Sequence, residues 1–299
     1  MRIAVTGKAG QVVSALLERG PAAGVEVVAV GRPELDLADP KEATAVFSAL
    51  RPDVIVSAAA HTAVDKAESE ADLAFAINGR GAGAVAKAAA ELGVPVIHLS
   101  TDYVFDGAKP SAWVESDPTA PLGVYGASKL AGEEAVLASG ARAVVLRVAW
   151  VHSPFGANFV KTMLRLAETR DRLGVVADQI GAPTSALDIA DAVVTIAKTL
   201  VARPDDATLT GVFHMGAGGP DASWADFAEA IFAGAAARGG RAPAVDRIAT
   251  SAYPTPAKRP AQSRLASEKL ADVHGVVLPD WRVSLETVLD RLIGPRPAN

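Results

Sequence analysis

Close to the start of the chain, the apolar run Arg2–Thr6 (RIAVT) meets Gly7-Lys8-Ala9-Gly10-Gln11-Val12-Val13 and passes directly into a helical pattern over residues 10–19. No other feature restricts the fold as much. A strand that feeds a glycine-spaced turn and then a helix leaves the helix's first N–H groups, and the positive end of its dipole, open to the turn. Gly7 permits the tight turn, and Gly10 lets an anion such as a diphosphate approach the backbone. The place of the usual third glycine is taken by Val13. That glycine serves the packing of helix on strand, so the expectation is a slightly displaced first helix with binding intact.

The alternation continues. Residues 25–30, 53–59, 95–100 and 142–148 predict four further strands. Helices are predicted over 40–50, capped by Asp39, over roughly 65–92, and over 125–139. Short, continuously apolar strands separated by helices suit a parallel sheet covered on both faces. With right-handed crossovers this is a Rossmann-type, doubly wound α/β sheet, whose ligands lie beyond the carboxyl ends of the strands. After Trp150 the alternation weakens to helices over 158–169 and 187–201, a strand over 173–177, and Gly211–Met215 as a further strand of the main sheet. The proline-rich stretch 253–260 excludes regular structure, and residues 294–299 are predicted to fray. Without a linker or repeat, a second lobe is interleaved with the first. Residues 1–150 and 186–216 are then a dinucleotide-binding domain, and 151–185 and 217–299 a smaller α/β substrate lobe.

Composition narrows the chemistry. A chain of 299 residues with no cysteine has no disulfide, thiolate metal site, iron–sulfur cluster or cysteine nucleophile. With 29 Lys+Arg against 34 Asp+Glu, its net charge of -5 suits neither nucleic acid nor an anionic membrane as partner. No signal-peptide core and no long uncharged apolar run are present, which predicts a cytoplasmic protein.

Tyr125 and Lys129 stand four residues apart, on one face of a predicted helix. An ammonium about 4 Å from a phenol, at an effective dielectric near 20, interacts with it by roughly 4 kcal/mol. At about 1.4 kcal/mol per unit, this lowers the phenol's pKa by two or three units. Such a phenol can protonate a carbonyl oxygen as hydride reaches the carbon. The fourth strand ends in Leu99-Ser100-Thr101-Asp102-Tyr103, which places the Thr101 hydroxyl on the ligand side of the sheet. At the end of the second strand, Arg32 replaces the acid that usually holds a ribose 2′-hydroxyl. It is either a solvated charge or a partner for a 2′-phosphate, which favours NADPH over NADH. Asp36 and Leu37, a little further on, frame the adenine or ribose. Lys258-Arg259-Pro260 and Ser263-Arg264 put a small basic cluster near the proline-rich loop, either solvated or facing the diphosphate of a sugar nucleotide.

Together these motifs resemble the extended short-chain dehydrogenase/reductases and, among them, the dTDP-4-dehydrorhamnose reductase family. The strings that carry the resemblance are GKAGQV (7–12), RPDVIVSAAAHTAVDKAESE (51–70), STDYVFDG (100–107), APLGVYGASKLAGE (120–133), NFVKTMLRLA (158–167), DQIGAPT (178–184) and YPTPAKRPAQSRL (253–265), spread over nearly the whole chain. The resemblance implies a Rossmann-type reductase that uses NADPH or NADH on a dTDP-sugar. It makes Tyr125 the proton donor, Lys129 its partner and Thr101 the hydroxyl that tunes them, with Asp102 and Tyr103 on the sugar side. Gly7, Lys8, Ala9, Gln11 and Val12 match the diphosphate loop. Ala58, Ala59, Ala60, His61 and Thr62 match the segment along the cofactor, with His61 a hydrogen-bonding loop residue rather than a metal ligand. Trp150 matches a residue that packs on the deoxysugar, and a plain core role is its alternative. Asn158, Phe159 and Gln179 are further pocket candidates, and the acidic run 65–70 reads as a charged helix start. Some members dimerise through magnesium held by glutamates, one of them where this chain has Ser185-Ala186-Leu187-Asp188. A metal-bridged dimer is therefore not expected, while a homodimer stays open. Two other functions stay open as well: a regulatory subunit like the β subunit of methionine adenosyltransferase, and a reductase or epimerase of another nucleotide sugar.

Overall fold

A computed structural model describes residues 1–296. Residues 297–299, part of the tail expected to fray, lie outside the described residues. β1 (Arg2–Thr6) runs through the glycine turn into α1 (Gln11–Ala22). β2 (Glu26–Val30), α2 (Ala43–Leu50) and β3 (Val54–Ser57) follow. α2 begins three residues after Pro40, with Glu42 rather than Asp39 at its start and no side-chain cap. The preceding turn is held instead by Asp36, whose Oδ1 accepts from the Ala38 N–H at 2.9 Å.

The single helix expected over 65–92 is broken into α3 (Val64–Ala67), α4 (Ala71–Ala74), a π-helical segment Phe75–Gly81 and α5 (Ala82–Leu92). The cause is tertiary. Asn78, buried in the π segment, accepts from the His61 N–H at 2.7 Å and donates to the His61 carbonyl at 3.1 Å and to Ser128 Oγ at 3.0 Å. Three bonds at about 1 kcal/mol each outweigh differences in helix propensity below about 1 kcal/mol per residue. Backbones also meet closely here: a Cβ on Gly132 would lie 2.1 Å from the Asn78 carbonyl oxygen.

The chain continues through β4 (Val96–Thr101), α6 (Val124–Leu137), β5 (Ala143–Val148), β6 (Val151–His152), α7 (Phe159–Ala167), β7 (Arg172–Val176), β8 (Ile180–Gly181) and β9 (Thr184–Ser185). After α8 (Ala186–Ala202) come β10 (Gly211–Met215), β11 (Ala222–Ser223), α9 (Trp224–Ala236), β12 (Ala244–Ile248), α10 (Glu268–His274) and α11 (Trp281–Ile293).

Six strands form one sheet in the order β10-β5-β4-β3-β1-β2, and every neighbouring pair is parallel. Gly211–Met215 thus joins the main sheet beside β5. Alternate residues feed two cores. Ile3, Val5, Val54 and Val56 pack with α1 and α8, whereas Ala4 and Ile55 pack with α2 and α5. From β1 the chain goes to β2 on one side and to β3 on the other, so a crevice opens at their carboxyl ends. The pairs β7–β12 and β8–β11 lie outside this sheet, and α7, α9 and α11 share a third core around Phe227 and Trp281.

Candidate active site

A cleft of about 720 Å³ opens at that crevice, lined by the loop after β1, the ends of β3, β4 and β5, and residues of α6, α7 and α9. Its floor is the glycine turn. Gly7 has φ +99°, a conformation that side-chain-bearing residues rarely adopt, so the turn needs glycine. Gly10 is the extended N-cap of α1 and offers no side-chain cap, so the first-turn N–H groups are left for a ligand. Val13 is buried at 2% exposure and fills the space beneath Gly7. A cradle of this shape fits the diphosphate of a dinucleotide.

The wall beside it is tied to the floor by one hydroxyl. Thr6 Oγ1 accepts from the N–H groups of Ala58 and Ala59, both at 2.9 Å. Ala58, Ala59, Ala60 and Thr62 line the cleft; His61 does not. Its peptide is clasped by Asn78, and its Nε2 lies 2.8 Å from Glu70 Oε2. The acidic run is more than a solvated helix start. Asp65 pairs with Arg259 at 2.8 Å, Glu68 Oε1 accepts from the Val124 N–H that opens α6 at 2.9 Å, and Glu70 takes His61.

Tyr125 and Lys129 on α6, with Thr101 and Asp102 at the end of β4, form the polar part of the cleft. Tyr103 packs edge-on against Tyr125, with ring centroids 5.5 Å apart. Burial pushes the Tyr125 phenol up to about 12, against the influence of the Thr101 hydroxyl, which pulls it down. Burial draws the Lys129 ammonium down to about 8, opposed by the charge of Glu133. The lowering of the phenol expected from the lysine does not occur. Lys129 Nζ is turned to the Leu99 carbonyl at 2.7 Å, and desolvation is the largest influence on the phenol. At neutral pH the phenol therefore keeps its proton. Asp102 is raised to about 6 by burial, against the influence of the Ser263 and Thr101 hydroxyls; Thr101 Oγ1 donates to its Oδ1 at 3.1 Å, and its Oδ2 has no partner within bonding geometry among the described residues.

The opposite wall is aromatic. Trp150 and Trp224 stack with centroids 3.7 Å apart, and Phe159 leans on Trp224 at 4.7 Å. Trp150 has φ +50°, and its indole fills the space where a Cβ on Gly181 would come within 2.6 Å. The clamp extends outward: Trp224 Nε1 donates to Gln179 Oε1 at 3.2 Å, and Gln179 donates to Thr250 Oγ1 at 3.1 Å.

The cleft gathers Gly7, Ala9, Gly10, Gln11, Val12, the three alanines 58–60, Thr62, Leu99, Thr101, Asp102, Tyr103, Tyr125, Lys129 and Trp150. Other candidates stand back from it. Lys8 pairs with Glu34, Arg32 and Asp36 are exposed, and Leu37 is buried against α5. Asn158 caps α7 and donates to Gln11 Oε1 at 3.1 Å. Arg259 is held by Asp65, Thr255 and the Ala257 carbonyl, and Arg264 by Asp221 and the Pro110 carbonyl. Trp224, Asn78 and His98 are neighbours of the site that sequence reasoning missed. The Ser223…Asp226 capping box marks the helix that delivers Trp224, and Asn78-Gly79 inside an alanine-rich run marks the break.

The model of the RmlD substrate binding domain family matches residues 1–293. The chain belongs to this family. It is 51% identical, over 98% of each chain, to the dTDP-4-dehydrorhamnose reductase of Sinorhizobium fredii. It is 46% identical to that of Burkholderia thailandensis, over 95% of this chain and 97% of the other. A Bacillus anthracis dTDP-4-dehydrorhamnose reductase, solved in complex with NADP, superposes with a TM-score of 0.87 at 34% identity and covers 96% of this chain and 98% of that one. With such relatives over nearly its full length, this RmlD-family chain is an oxidoreductase of Rossmann type. Among the described residues, no helix is long and apolar enough to cross a membrane.

Proposed function

We propose that the chain reduces the C4 ketone of dTDP-4-dehydro-6-deoxy-L-mannose (dTDP-4-dehydrorhamnose) to dTDP-L-rhamnose with NADPH or NADH. One observation carries this reading: an uncapped phosphate loop, a protonated phenol and a hydroxyl converge in a single cleft with an aromatic far wall. Residues 1–150 and 186–216 then hold the dinucleotide, and 151–185 and 217–299 the sugar nucleotide. When bound, the nicotinamide supplies the hydride that the ketone carbon receives.

In this reading Tyr125 delivers the proton that the forming alkoxide needs, and its raised pKa keeps that proton in place through neutral pH. The Thr101 hydroxyl, which draws the phenol's pKa down, steadies the phenolate left behind. Lys129, charged below about pH 8, brings a positive charge into the same cleft from its seat on the Leu99 carbonyl. Trp150, pre-set by Trp224 and Gly181, offers the deoxysugar a flat apolar face. Arg259 exchanges Asp65 for the sugar's diphosphate, since a guanidinium pairs with either anion in the same bidentate way. Arg32, exposed at the end of β2, favours a 2′-phosphate. Among the described residues no cluster of potential metal ligands stands at this site, and the reading assigns no step to a metal.

The test is loss of absorbance at 340 nm with dTDP-4-dehydrorhamnose, run in parallel with NADPH and NADH. Oxidation that yields dTDP-L-rhamnose supports the reading, and the ratio of the two rates tests Arg32. Cofactor binding without oxidation overturns it in favour of another nucleotide sugar or a regulatory role.

A further inference from the structure

Behind Lys129 lies a histidine that the reaction outlined above does not use. His98 occupies the middle of β4 at 1% exposure, paired in register with Ser57 of β3 and Val145 of β5. Its Nδ1 is 3.0 Å from Ser57 Oγ, and its Nε2 is 3.3 Å from Lys129 Nζ. The same Nζ donates to the Leu99 carbonyl at 2.7 Å. An ammonium has donors only, so Nε2 is the accepting nitrogen and Nδ1 carries the proton, which it donates to Ser57. With the lysine charged, the contacts assign the tautomer.

From this geometry we propose that His98 is a positioning residue for Lys129: as a neutral acceptor locked by Ser57, it holds the ammonium against the Leu99 carbonyl and keeps it charged inside the protein. The proposal rests on the reading of Lys129 as the charge beside Tyr125. Glu133 favours the charged lysine through its own charge but, among the described residues, makes no hydrogen bond to it. Its carboxylate, one turn along α6, is engaged by Arg147 of β5 at 2.7 Å and by the Ser100 hydroxyl, and Arg147 reaches His214 of β10 at 3.4 Å. Tyr125 of α6, with Thr101 at the end of β4 and Asp102 just after it, stands on the cleft side. Burial and the neighbouring ammonium hold His98 well below its ordinary pKa, so the ring stays neutral across the working range. A hydrogen bond to the charged form favours that form, so losing the acceptor lowers the lysine's proton affinity further.

The test compares His98→Phe, His98→Gln and Ser57→Ala in the full chain, through kcat/KM against pH with cofactor and ketosugar. The alkaline limb set by Lys129 is expected to move down by about one pH unit in His98→Phe, a tenfold change in proton affinity. It is expected to return to within about 0.3 unit in His98→Gln, whose amide oxygen accepts the same bond. In Ser57→Ala the shift has the same direction and is smaller, because the ring's tautomer is no longer locked. A limb that stays in place in a folded His98→Phe overturns the proposal. Should that variant not fold, an unmoved limb in Ser57→Ala overturns it. If the wild type does not turn over at all, the functional reading fails instead. Lysine ¹³C NMR titration, with the Lys129 signal assigned by its loss in Lys129→Met, then reads the same shift without catalysis.

Discussion

On the sheet side of the cleft the wall is backbone: Thr6, Gly7, Ala58 and Ala59 are set by the parallel register of β1 and β3 and joined by one threonine hydroxyl. On the far side it is side chain: Trp150, Phe159 and Trp224 come from three separate segments and hold one another face to face. The first wall is insensitive to side-chain identity except where the backbone takes a positive φ, as at Gly7. The second depends on rotamers, and each ring needs a backing partner. A cofactor common to many folds needs only the backbone of a strand–turn–helix unit, whereas one particular sugar must be met by shaped surfaces.

Four substitutions break or sharpen this comparison. The largest effect is expected where the walls meet. Tyr125→Phe should lower kcat by about 10²–10⁴-fold and leave the cofactor Kd within about twofold, as read by cofactor oxidation and fluorescence titration. Behind the sheet wall, Arg147→Met leaves the Glu133 carboxylate buried without its ion pair. Urea unfolding should show a loss of about 3–5 kcal/mol, and a loss below about 1 kcal/mol would remove this pair as an anchor of the wall.

Asp102 gives a pH-dependent effect. Its carboxyl is raised from 3.8 to about 6 by burial, so the folded chain binds this proton more tightly than the unfolded one. The stability so gained is complete below about pH 4 and is lost as pH rises through about 6. Asp102→Asn removes the dependence. Relative to wild type it should be more stable at pH 8 than at pH 4 by up to about 3 kcal/mol, read from denaturation at both values. The smallest effect is confined to the aromatic wall. Gly181→Ala puts a methyl into the Trp150 indole and is expected to raise KM for the ketosugar by about tenfold, with the cofactor Kd unchanged. Equal losses of both affinities would show that the two walls are mechanically one.

Much of the sheet side of the cleft was legible from the residues in order. The glycine turn, the apolar strands and the Tyr125/Lys129 spacing are local patterns, and each reports a backbone state or a helix face. The cleft brings their residues together with Thr101 and Trp150. Less legible was where long polar side chains turn. Lys129 faces the Leu99 carbonyl and His98 rather than the phenol, and the carboxylates of Asp65, Glu68 and Glu70 each find a different partner.

The sequence by itself determined the alternation, the parallel sheet and the place of the glycine turn, because hydrophobic period and turn chemistry act over a few neighbouring residues. Only the tertiary structure decided the break at Asn78, the rise of the Tyr125 pKa, the His98–Lys129 contact and the arrival of Trp224 against Trp150. Burial and hydrogen-bond partners depend on which strands lie side by side and in what register, and those choices join residues that the chain itself keeps far apart.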